Sequence, residues 1–405
     1  MKLKTIRNIF FIISLVVIGF WVGYSLGHRE YELCITYRNK AVNTSFGNKQ
    51  ATGTLDLALF WDVFERLKRS YISRNKIDLQ KMLYGAISGM VSSLDDPYTV
   101  FLIPKQNKET KEELGGSFTG IGAQLGLKDK KIVVIAPLPE TPAEKAGIKA
   151  GDWILAIDNK STDNLSLPEA VSKIRGQKGT KVVLNILHEK SEKPLEFSIT
   201  RDTIVVKSVE YKEIENIAYV KLASFGDQTE GEWTKAIQEI RGKIYDSRIK
   251  GVVLDLRSNP GGYLTGAIFI AGEFLERGKV VVYQENADGS KKSYPVDRDG
   301  ALLDMPLVVL INRGSASASE IVAGAMRDYE RATLVGEKSF GKGSIQEPQD
   351  LPGGSGLHIT TAKWLTPKEK WINGTGITPS VLVSMDEKNP EKDPQLEKAI
   401  EILNK

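Results

Sequence analysis

The sequence predicts an α/β (α+β) protein of several domains that follow a membrane segment. Its 405 residues allow two to three domains at about 150 residues each. A composition of 41% hydrophobic and 26% charged residues is typical of packed globular protein rather than of disordered chain. Helices and strands alternate in its second half. The segments that we expect, in order, are a basic end with a transmembrane anchor (1–27), a linker (28–54), a helical segment (55–113), a small domain of short strands (114–202), an α/β core (203–390) and a C-terminal helix (391–405).

The first 27 residues have the pattern of a targeting element. Three basic residues lie among the first seven, and the 18 residues 9–26 then carry no charged side chain. At about 1.5 Å per residue this run spans about 27 Å, enough to cross the hydrocarbon core of a bilayer as an uncleaved signal anchor. The basic end stays cytoplasmic, which places the rest of the chain on the extracytoplasmic side. Cleavage of a signal peptide near Ser25 and Gly27, giving a secreted or periplasmic protein, is the alternative.

Charge and composition exclude two classes of function. The net charge is +4, from 55 Lys and Arg against 51 Asp and Glu, so no basic face indicates a nucleic-acid partner. The chain has one cysteine, Cys34, and three histidines. These are too few ligands for a zinc site, so metal catalysis by His and Cys is excluded. No cofactor is implied by the sequence.

Two short amphipathic helices are predicted after the linker, at residues 55–71 and 79–94, where apolar residues recur at helical spacing. Asp95, Asp96 and Pro97 end the second helix. Two helices of this length have little core of their own. We therefore expect them to pack on a later domain or on a partner chain, which makes a homo-oligomer a possibility.

The segment 114–202 changes to short strands around Gly-rich turns. The predicted strands are 120–125, 131–135, 153–157, 182–187 and 195–199, with helices at 142–146 and 167–175. The order of these elements resembles a PDZ domain, on the residues Gly120, Ile121, Gly122 and Ala123 that open a strand and on the segment 146–152. Backbone amides freed by a Gly turn can hold a terminal carboxylate while the strand edge pairs with a peptide. A dinucleotide loop is disfavoured because no βαβ unit surrounds Gly120 and Gly122.

Alternation of strands and helices after residue 203 predicts a central sheet covered by helices. The predicted strands are 217–222, 251–256 and 307–311, and the predicted helices are 231–245, 263–276, 319–329 and, at the C-terminal end, 395–403. Function is then expected in the loops that follow the strand ends.

A cluster of serines lies where strand 307–311 turns into the next helix, in the run Ser315-Ala316-Ser317-Ala318-Ser319. A serine on a tight strand-to-helix turn has an exposed hydroxyl, and helix-start amides beside it can stabilise an oxyanion. Ser317 and Glu320 also match a capping box, a purely structural alternative.

A nucleophilic serine needs a base, and the histidines are poor candidates. His28 abuts the membrane segment, His188 ends a strand of the small domain, and His358 lies in a strand. A Ser-His-Asp triad is therefore improbable, which leaves lysine as the base.

Lys342 is the candidate because Gly341 and Gly343 flank it. A lysine must be neutral to take a proton, and lowering its pKa from about 10.4 to about 7.5 requires roughly 4 kcal/mol. Only burial supplies this much, and Gln346 can accept a hydrogen bond from the amine without adding a charge. A P-loop over 336–342 is the alternative, but Gly343 replaces the required hydroxyl residue.

A third loop follows the predicted strand 251–256. Gly261 and Gly262 let backbone amides approach a ligand closely, as the second half of an oxyanion hole requires. A plain turn after a strand is the alternative.

Three motifs in combination resemble the carboxyl-terminal processing proteases, also called tail-specific proteases. The motifs are D-L-R-x-N-P-G-G, N-x-G-S-A-S-A-S-E-I and G-x-x-S-F-G-K-G-x-x-Q, downstream of the PDZ-like insert, and the resemblance covers about residues 55–403. It implies a Ser/Lys dyad of Ser317 and Lys342, with Gln346 orienting the lysine. It places the oxyanion hole on the backbone of Ala318 and of the Gly261-Gly262 turn.

Two departures from the family pattern are an extra acid at Asp95-Asp96 and Ser380, which stands where an Asp usually follows a proline. We expect both to affect local packing and not the chemistry.

The prediction is therefore an extracytoplasmic serine endopeptidase that binds protein C-termini through its PDZ-like domain and cleaves the adjoining chain. Arg175, at the end of helix 167–175, is a candidate for coupling that domain to the protease through an acid, and a solvated arginine is the alternative. The expected partners are protein or peptide substrates and the membrane. Alternative functions are an inactive PDZ scaffold for secreted proteins and a lyase or hydratase of acyl thioesters.

Overall fold

A computed structural model describes residues 56–405 except 129–130, 164, 189–190, 192, 247, 386–388 and 390–391. The predicted anchor and linker lie outside the described residues. Within the described part of the chain, no helix combines the length and the hydropathy that a membrane span needs. The described chain divides into two compact units between Leu83 and Tyr84.

The predicted helical segment contains two helices, as expected, and a third that the sequence analysis missed. They are α1 (Ala58–Ser70), α2 (Leu79–Ser92) and α3 (Pro104–Leu114), with the short strand β1 (Val100–Leu102) between the last two. Helix α1 buries none of its residues. Helix α3 has almost no apolar side chains, so it gives no helical periodicity to detect, and Pro104 at its first turn favours its start. The expected packing of the first helices on another domain or chain stays a prediction.

The small domain is a six-stranded sheet in the order β3-β4-β5-β7-β8, with β6 paired to β5. Its elements are β3 (Ala123–Lys128), β4 (Lys131–Pro137), α4 (Pro142–Lys145), β5 (Trp153–Ile157), β6 (Lys160–Ser161), α5 (Leu167–Ile174), β7 (Lys181–Leu187) and β8 (Leu195–Thr200). Alternate residues of β7 (Val182, Leu184 and Ile186) are fully buried, which gives the sheet one core face. A two-stranded ribbon of β2 (Ser117–Gly120) and β9 (Asp202–Val205) pairs the two ends of the domain.

The predicted strand 120–125 is wrong in one respect. It is interrupted at Ile121 and Gly122, which lie between β2 and β3. Gly122 has φ +78, and a Cβ at this position would lie 2.4 Å from the Cβ of Thr141. A glycine is therefore required here, because the backbone of residue 122 lies too close to the side chain of Thr141 for any other residue.

The central sheet of the core has the order β10-β11-β12-β15-β16-β19, and every pairing after β11 is parallel. Its strands are β10 (Val209–Ile214), β11 (Ile217–Leu222), β12 (Gly251–Asp255), β15 (Leu307–Ile311), β16 (Thr333–Gly336) and β19 (Val381–Leu382). All five residues of β12 and of β15 are buried, as a parallel sheet covered on both faces requires.

Helices cover the two faces of this sheet. Alternate strand residues pack on α6 (Thr229–Tyr245), α7 (Leu264–Ala271) and α8 (Ala318–Asp328) on one face. The other face packs on α9 (Pro394–Leu403). The predicted helix 263–276 is too long at its C-terminal end, because Gly272 caps α7 after Ala271. The predicted central sheet with helices is otherwise confirmed.

A second sheet joins distant parts of the chain and was not predicted as a unit. It has the order β1-β18-β13-β14, with β17 paired to β18. The strands are β13 (Val280–Asn286), β14 (Lys291–Pro295), β17 (Ser344–Asp350) and β18 (Gly356–Leu365). Residues of β17 and β14 are mostly exposed and polar, so they lack the apolar alternation by which a strand is recognised. Lys342 lies just before β17, so this sheet positions the lysine.

Candidate active site

Ser317 lies at the turn between β15 and α8 with φ 54 and ψ −115. A residue other than Gly in this region costs about 1–3 kcal/mol and persists only where its surroundings enforce it. The enforcing contacts are hydrogen bonds of buried groups, which are Ser315 Oγ to Leu256 O (2.8 Å), Ala316 N to Asn259 O (3.0 Å) and Ser319 Oγ to Asn259 O (2.9 Å). A strained serine on a strand-to-helix turn resembles a nucleophile elbow, and Ser317 is half-buried.

The capping-box alternative is only half present. The Glu320 carboxylate accepts a hydrogen bond from Ser317 N at 2.9 Å, but the Ser317 side chain makes no capping bond. In the described part of the chain the Ser317 hydroxyl has no hydrogen-bond partner. A serine that served to cap α8 would have its hydroxyl occupied. The hydroxyl at this turn is available for chemistry.

The loop after β12 packs directly on the serine turn. A Cβ on Gly261 would lie 2.8 Å from the Cβ of Ser317 and 3.0 Å from Ala318 N, so only glycine allows this approach. Gly261 N donates to Asn259 Oδ1 at 2.9 Å. The N–H groups of Gly262 and Ala318 donate to no group among the described residues. Two free N–H donors beside a serine are the geometry of an oxyanion hole.

Glu320 connects the serine turn to the lysine loop. Besides Ser317 N, its buried carboxylate accepts from Ser339 Oγ (2.6 Å), Gly341 N (2.7 Å) and Lys342 N (2.9 Å). Lys342 O accepts from Trp364 Nε1 at 2.9 Å. The backbone of the lysine is thus held on both sides, and one side chain fixes its distance from Ser317.

The Lys342 side chain is half-buried, with Nζ 4.9 Å from the centroid of the Tyr98 ring. Burial lowers its pKa below the usual range of lysine, and the negative charge of Asp96 opposes this shift in part. Its amine makes no hydrogen bond to Ser317 or Gln346 among the described residues. A lysine with a lowered pKa has the property that a general base requires.

Gln346 is close to this site but does not contact the lysine amine through a hydrogen bond. Its Nε2 donates to Ser344 Oγ (2.8 Å) and to Thr360 Oγ1 (3.1 Å). Thr360 in turn hydrogen-bonds the side chain of Asp96. The charge of Asp96 acts on Lys342. The expectation that the extra acid at Asp95-Asp96 affects only local packing stays a prediction.

Comparison with protein families matches residues 216–383 to peptidase family S41 and residues 133–187 to a PDZ domain. Residues 15–109 match the N-terminal domain of the activating protease CtpB. The carboxy-terminal-processing protease of Bartonella bacilliformis is 40% identical over 85% of this chain and 78% of its own length. CtpA of Bacillus subtilis, a carboxy-terminal processing protease, is 40% identical over 83% of this chain and 71% of its own. The chain belongs to the carboxy-terminal processing proteases of family S41.

Solved structures agree with this assignment. The photosystem II D1 C-terminal processing protease superposes with a TM-score of 0.51 and 30% identity, over 86% of this chain and 97% of that one. An S41 protease from Bacteroides fragilis, 17% identical with a TM-score of 0.55, shares the fold over 84% of this chain and 96% of its own. This chain is therefore a serine-type peptidase, and we refer to it below as the S41 protease.

The predicted peptide-binding residues of the S41 protease lie at the break between β2 and β3. Gly122 O accepts from Leu138 N (2.8 Å) and from Thr141 Oγ1 (2.9 Å). The N–H groups of Ile121 and Gly122 donate to no described residue. Free amides at the start of a strand are what capture of a carboxylate requires.

Arg175 follows α5 in the PDZ domain of the S41 protease, and its guanidinium lies 4.5 Å from the centroid of the Phe118 ring. Phe118 is in β2, the ribbon strand next to the PDZ sheet. No ion pair links Arg175 to an acid among the described residues. The expected pairing with an acid stays a prediction.

Two elements of the S41 site were missed from the sequence. Glu320 was considered only as a partner in a capping box. The segment of Asp96 and Tyr98 was considered as the end of a helix and, at Asp95-Asp96, as a departure from the family pattern, but not as part of the site. The signal for Glu320 was its position in the first turn of a helix whose next residues, up to Met326, are all apolar or small, because a carboxylate there must find buried donors. The site role of Asp96 and Tyr98 depends on a contact across 244 residues (342 − 98), which no local pattern shows.

Proposed function

We propose that this chain is a membrane-anchored, extracytoplasmic endopeptidase that binds protein C-termini with its PDZ domain and cleaves with a dyad of Ser317 and Lys342. The strained turn at Ser317, with a free hydroxyl beside two free N–H donors, is the observation that carries the proposal. The lowered pKa of Lys342, caused by burial, supports its role as the base.

In the first step the neutral amine of Lys342 takes the proton of the Ser317 hydroxyl as the oxygen attacks the scissile carbonyl carbon. The oxyanion accepts hydrogen bonds from the N–H groups of Ala318 and Gly262. Collapse of the intermediate breaks the peptide C–N bond, and the leaving amine takes the proton from Lys342. Water then attacks the acyl ester, again giving its proton to Lys342, and Ser317 leaves with that proton.

The dyad must close when substrate binds. Lys342 Nζ and Ser317 Oγ make no hydrogen bond to each other in the described part of the chain, whereas their backbones are fixed through Glu320. Catalytic hydrogen bonds often tighten only in the substrate complex. Because both backbones are already held, we infer that the lysine side chain moves to complete the dyad.

The free N–H groups of Ile121 and Gly122 support capture of a substrate carboxylate. The bound peptide would pair with the edge of β3 as an additional strand. The names of the relatives support processing of carboxyl termini. The apolar residues 9–26 support anchoring, with the catalytic unit outside the cytoplasm. Proteins and peptides are the proposed substrates, and no cofactor takes part.

The test is hydrolysis of an unfolded protein by purified full chain in detergent. We expect Ser317→Ala and Lys342→Ala to reduce kcat by at least about a thousandfold with unchanged circular dichroism, because each removes a member of the dyad. Lys342→Arg should be as inactive, since guanidinium does not deprotonate. The control Lys338→Ala, an exposed lysine of the same loop, should keep full activity.

Cleavage by Ser317→Ala or Lys342→Ala at a rate near that of the wild type would refute the dyad. The two alternative functions give different results. A scaffold would bind peptides ending in a free carboxylate without shortening them, and a thioester lyase would leave Ser317 unlabelled by serine-directed reagents.

A further inference from the structure

The loop between α2 and β1 lies against the proposed general base. Residues 96–98, which we call the cover loop, bring the ring of Tyr98 to 4.9 Å from Lys342 Nζ, and Tyr98 itself is half-buried. A cavity of about 490 Å³ opens beside it, lined by the cover loop together with Phe340, Gly341, Ser344, Thr360 and Trp371. Tyr98 lines this cavity, whereas Lys342 is not among the residues that line it.

Asp96 holds the cover loop in place. Its carboxylate accepts hydrogen bonds from Tyr98 N (3.0 Å) and Thr99 Oγ1 (2.6 Å), and the side chain of Thr360 adds another. Thr360 N in β18 donates to Thr99 Oγ1 at 3.0 Å. Because β18 also pairs with β17, the strand that follows Lys342, the same sheet holds both the cover loop and the lysine.

We propose that the cover loop sets the proton affinity of Lys342, with the Tyr98 ring excluding water from the amine and the Asp96 carboxylate favouring its protonation. Both are positioning residues that act on the reaction through Lys342. The inference rests on the proposed dyad. It assigns a function to a segment that lies more than 200 residues before the serine in the sequence.

The two contributions of Tyr98 have opposite signs, and their sizes decide the outcome. Its π face attracts an ammonium group, which raises the pKa of a lysine by about one unit or less at a site of this exposure. Loss of water lowers the pKa of a lysine by up to several units. Burial is the dominant cause of the lowered pKa of Lys342, so exclusion of water outweighs the attraction.

Other titratable groups also face this lysine. Glu320 from α8 accepts from the backbone N–H of Lys342. Burial, helped by the charge of Lys342, lowers the pKa of His358 in β18, which favours its neutral form. Burial, with the charges of Glu320 and Asp96, raises the pKa of the Tyr98 phenol, which favours its protonated form. Both shifts leave Lys342 as the group near the dyad whose titration we expect to measure.

The test is the pH dependence of kcat/KM for the full chain. Activity rises with pH as Lys342 loses its proton, and the midpoint of that rise is the quantity compared. We expect Tyr98→Ala to move the midpoint up by about one pH unit, which is a tenfold loss below the midpoint and little loss above it. Tyr98→Phe, which keeps the ring, should leave the midpoint within about 0.3 units. Asp96→Asn should move it down by about half a unit.

The control Tyr245→Ala, which removes an exposed tyrosine of α6, should change neither the midpoint nor the plateau. If Tyr98→Ala fails to fold, Tyr98→Leu replaces it. Leucine still shields the amine from water in part, so the pH midpoint should rise by less than one unit. A Tyr98 variant that loses activity equally at every pH, with the midpoint in place, would show a structural role only and overturn the inference. A rise that disappears in His358→Gln would assign the titration to His358 and would overturn the inference as well.

The inference and the proposed dyad fail separately. If Lys342→Ala still cleaves with the wild-type pH profile, the dyad itself is refuted. If Lys342→Ala is inactive but no variant of the cover loop shifts the midpoint, the dyad stands and only the role of Tyr98 and Asp96 is lost.

Discussion

The serine side and the lysine side of the site are built differently. On the serine side, buried polar groups hold every segment of backbone around Ser317, and the side chain itself has no partner among the described residues. On the lysine side the backbone of Lys342 is fixed, but its side chain is half-exposed and touches a loop from a distant part of the chain. Hydrogen bonds preorganise the serine side. On the lysine side, the groups around the amine set the pKa of Lys342.

This difference is consistent with the chemistry proposed for each side. An oxyanion and a nucleophile need fixed geometry, because electrostatic stabilisation is effective only when its donors are already in place. A base needs a particular proton affinity and freedom to move by the length of a hydrogen bond. Burial sets the proton affinity, and the absence of a hydrogen bond to the amine leaves the side chain free to move.

The largest effect on this comparison is expected from Glu320→Gln, since Glu320 belongs to both sides. All four groups that its carboxylate contacts are donors, whereas an amide offers one oxygen and an NH₂ group that would face other donors. We expect a loss of about 2–4 kcal/mol in the free energy of unfolding and of about a hundredfold in kcat. Urea unfolding and hydrolysis assays measure the two.

Glu337→Gln is the matched control for this change. Glu337 lies in the loop that carries Lys342, 3.8 Å from an exposed arginine, and its carboxylate should contribute under about 0.5 kcal/mol to stability. Equal effects of the two substitutions would contradict the bridging role of Glu320.

A smaller effect, confined to the serine side, is expected from Gly261→Ala. The added Cβ would lie 2.8 Å from Ala316 O and from the Cβ of Ser317, and the backbone has φ +104. We expect kcat to fall by about a hundredfold as the N–H donors move, with a loss of about 1–3 kcal/mol in stability. The pH midpoint should not change, because the surroundings of the amine are untouched.

Gly289→Ala separates crowding from backbone strain. Gly289 also has positive φ, at +82, but no atom lies within 4 Å of a Cβ built there. It should lose about 1 kcal/mol of stability and no activity. If Gly261→Ala behaved in the same way, the close packing of this loop on Ser317 would be irrelevant to catalysis.

The smallest effect is expected from the ion pairs that link the loop before Gly261 to the start of α9. Arg257, which precedes the loop of Gly261, pairs with Asp255 (2.5 Å) and with Asp393 (2.8 Å) at the start of α9. Burial raises the pKa of Asp393, but the hydrogen bonds from Arg257 and the backbone outweigh it, so the pKa lies below its usual value. Because the folded pKa is lower than the unfolded one, the stabilisation is present above pH ~4 and is lost as the pH falls through the folded value.

We expect Asp393→Asn to lose about 1 kcal/mol at pH 7, allowing for solvent screening, and clearly less at pH ~3, which lies below the ordinary pKa of an aspartate. Urea unfolding at both pH values measures this difference. Glu397→Gln, at an exposed acid of the same helix, should change little at either pH. A difference for Asp393→Asn that persists unchanged at pH ~3 would show that charge is not its source.

Much of the fold could be predicted because its core elements have strong local patterns. The strands Ile217–Leu222 and Leu307–Ile311 agree with the predicted limits to the residue, since runs of buried apolar residues bounded by turns are unambiguous in a parallel sheet. Strand β17 and helix α3 were missed because both are mostly polar. Contacts with distant residues, such as the hydrogen bond of 3.1 Å from Asn107 Nδ2 in α3 to Asp350 Oδ1 in β17, stabilise these elements where the local sequence does not.

The sequence by itself determined the chemical groups: a serine between small residues on a strand-to-helix turn, a glycine pair after a buried strand, and a lysine between glycines. These features are local, because glycines and small residues permit backbone geometry that other residues forbid. Only the tertiary structure decided how these groups are held, with Glu320 joining two loops and Tyr98 lying over Lys342. Burial and proton affinity depend on groups far apart in the chain, so they exist only once the chain has folded.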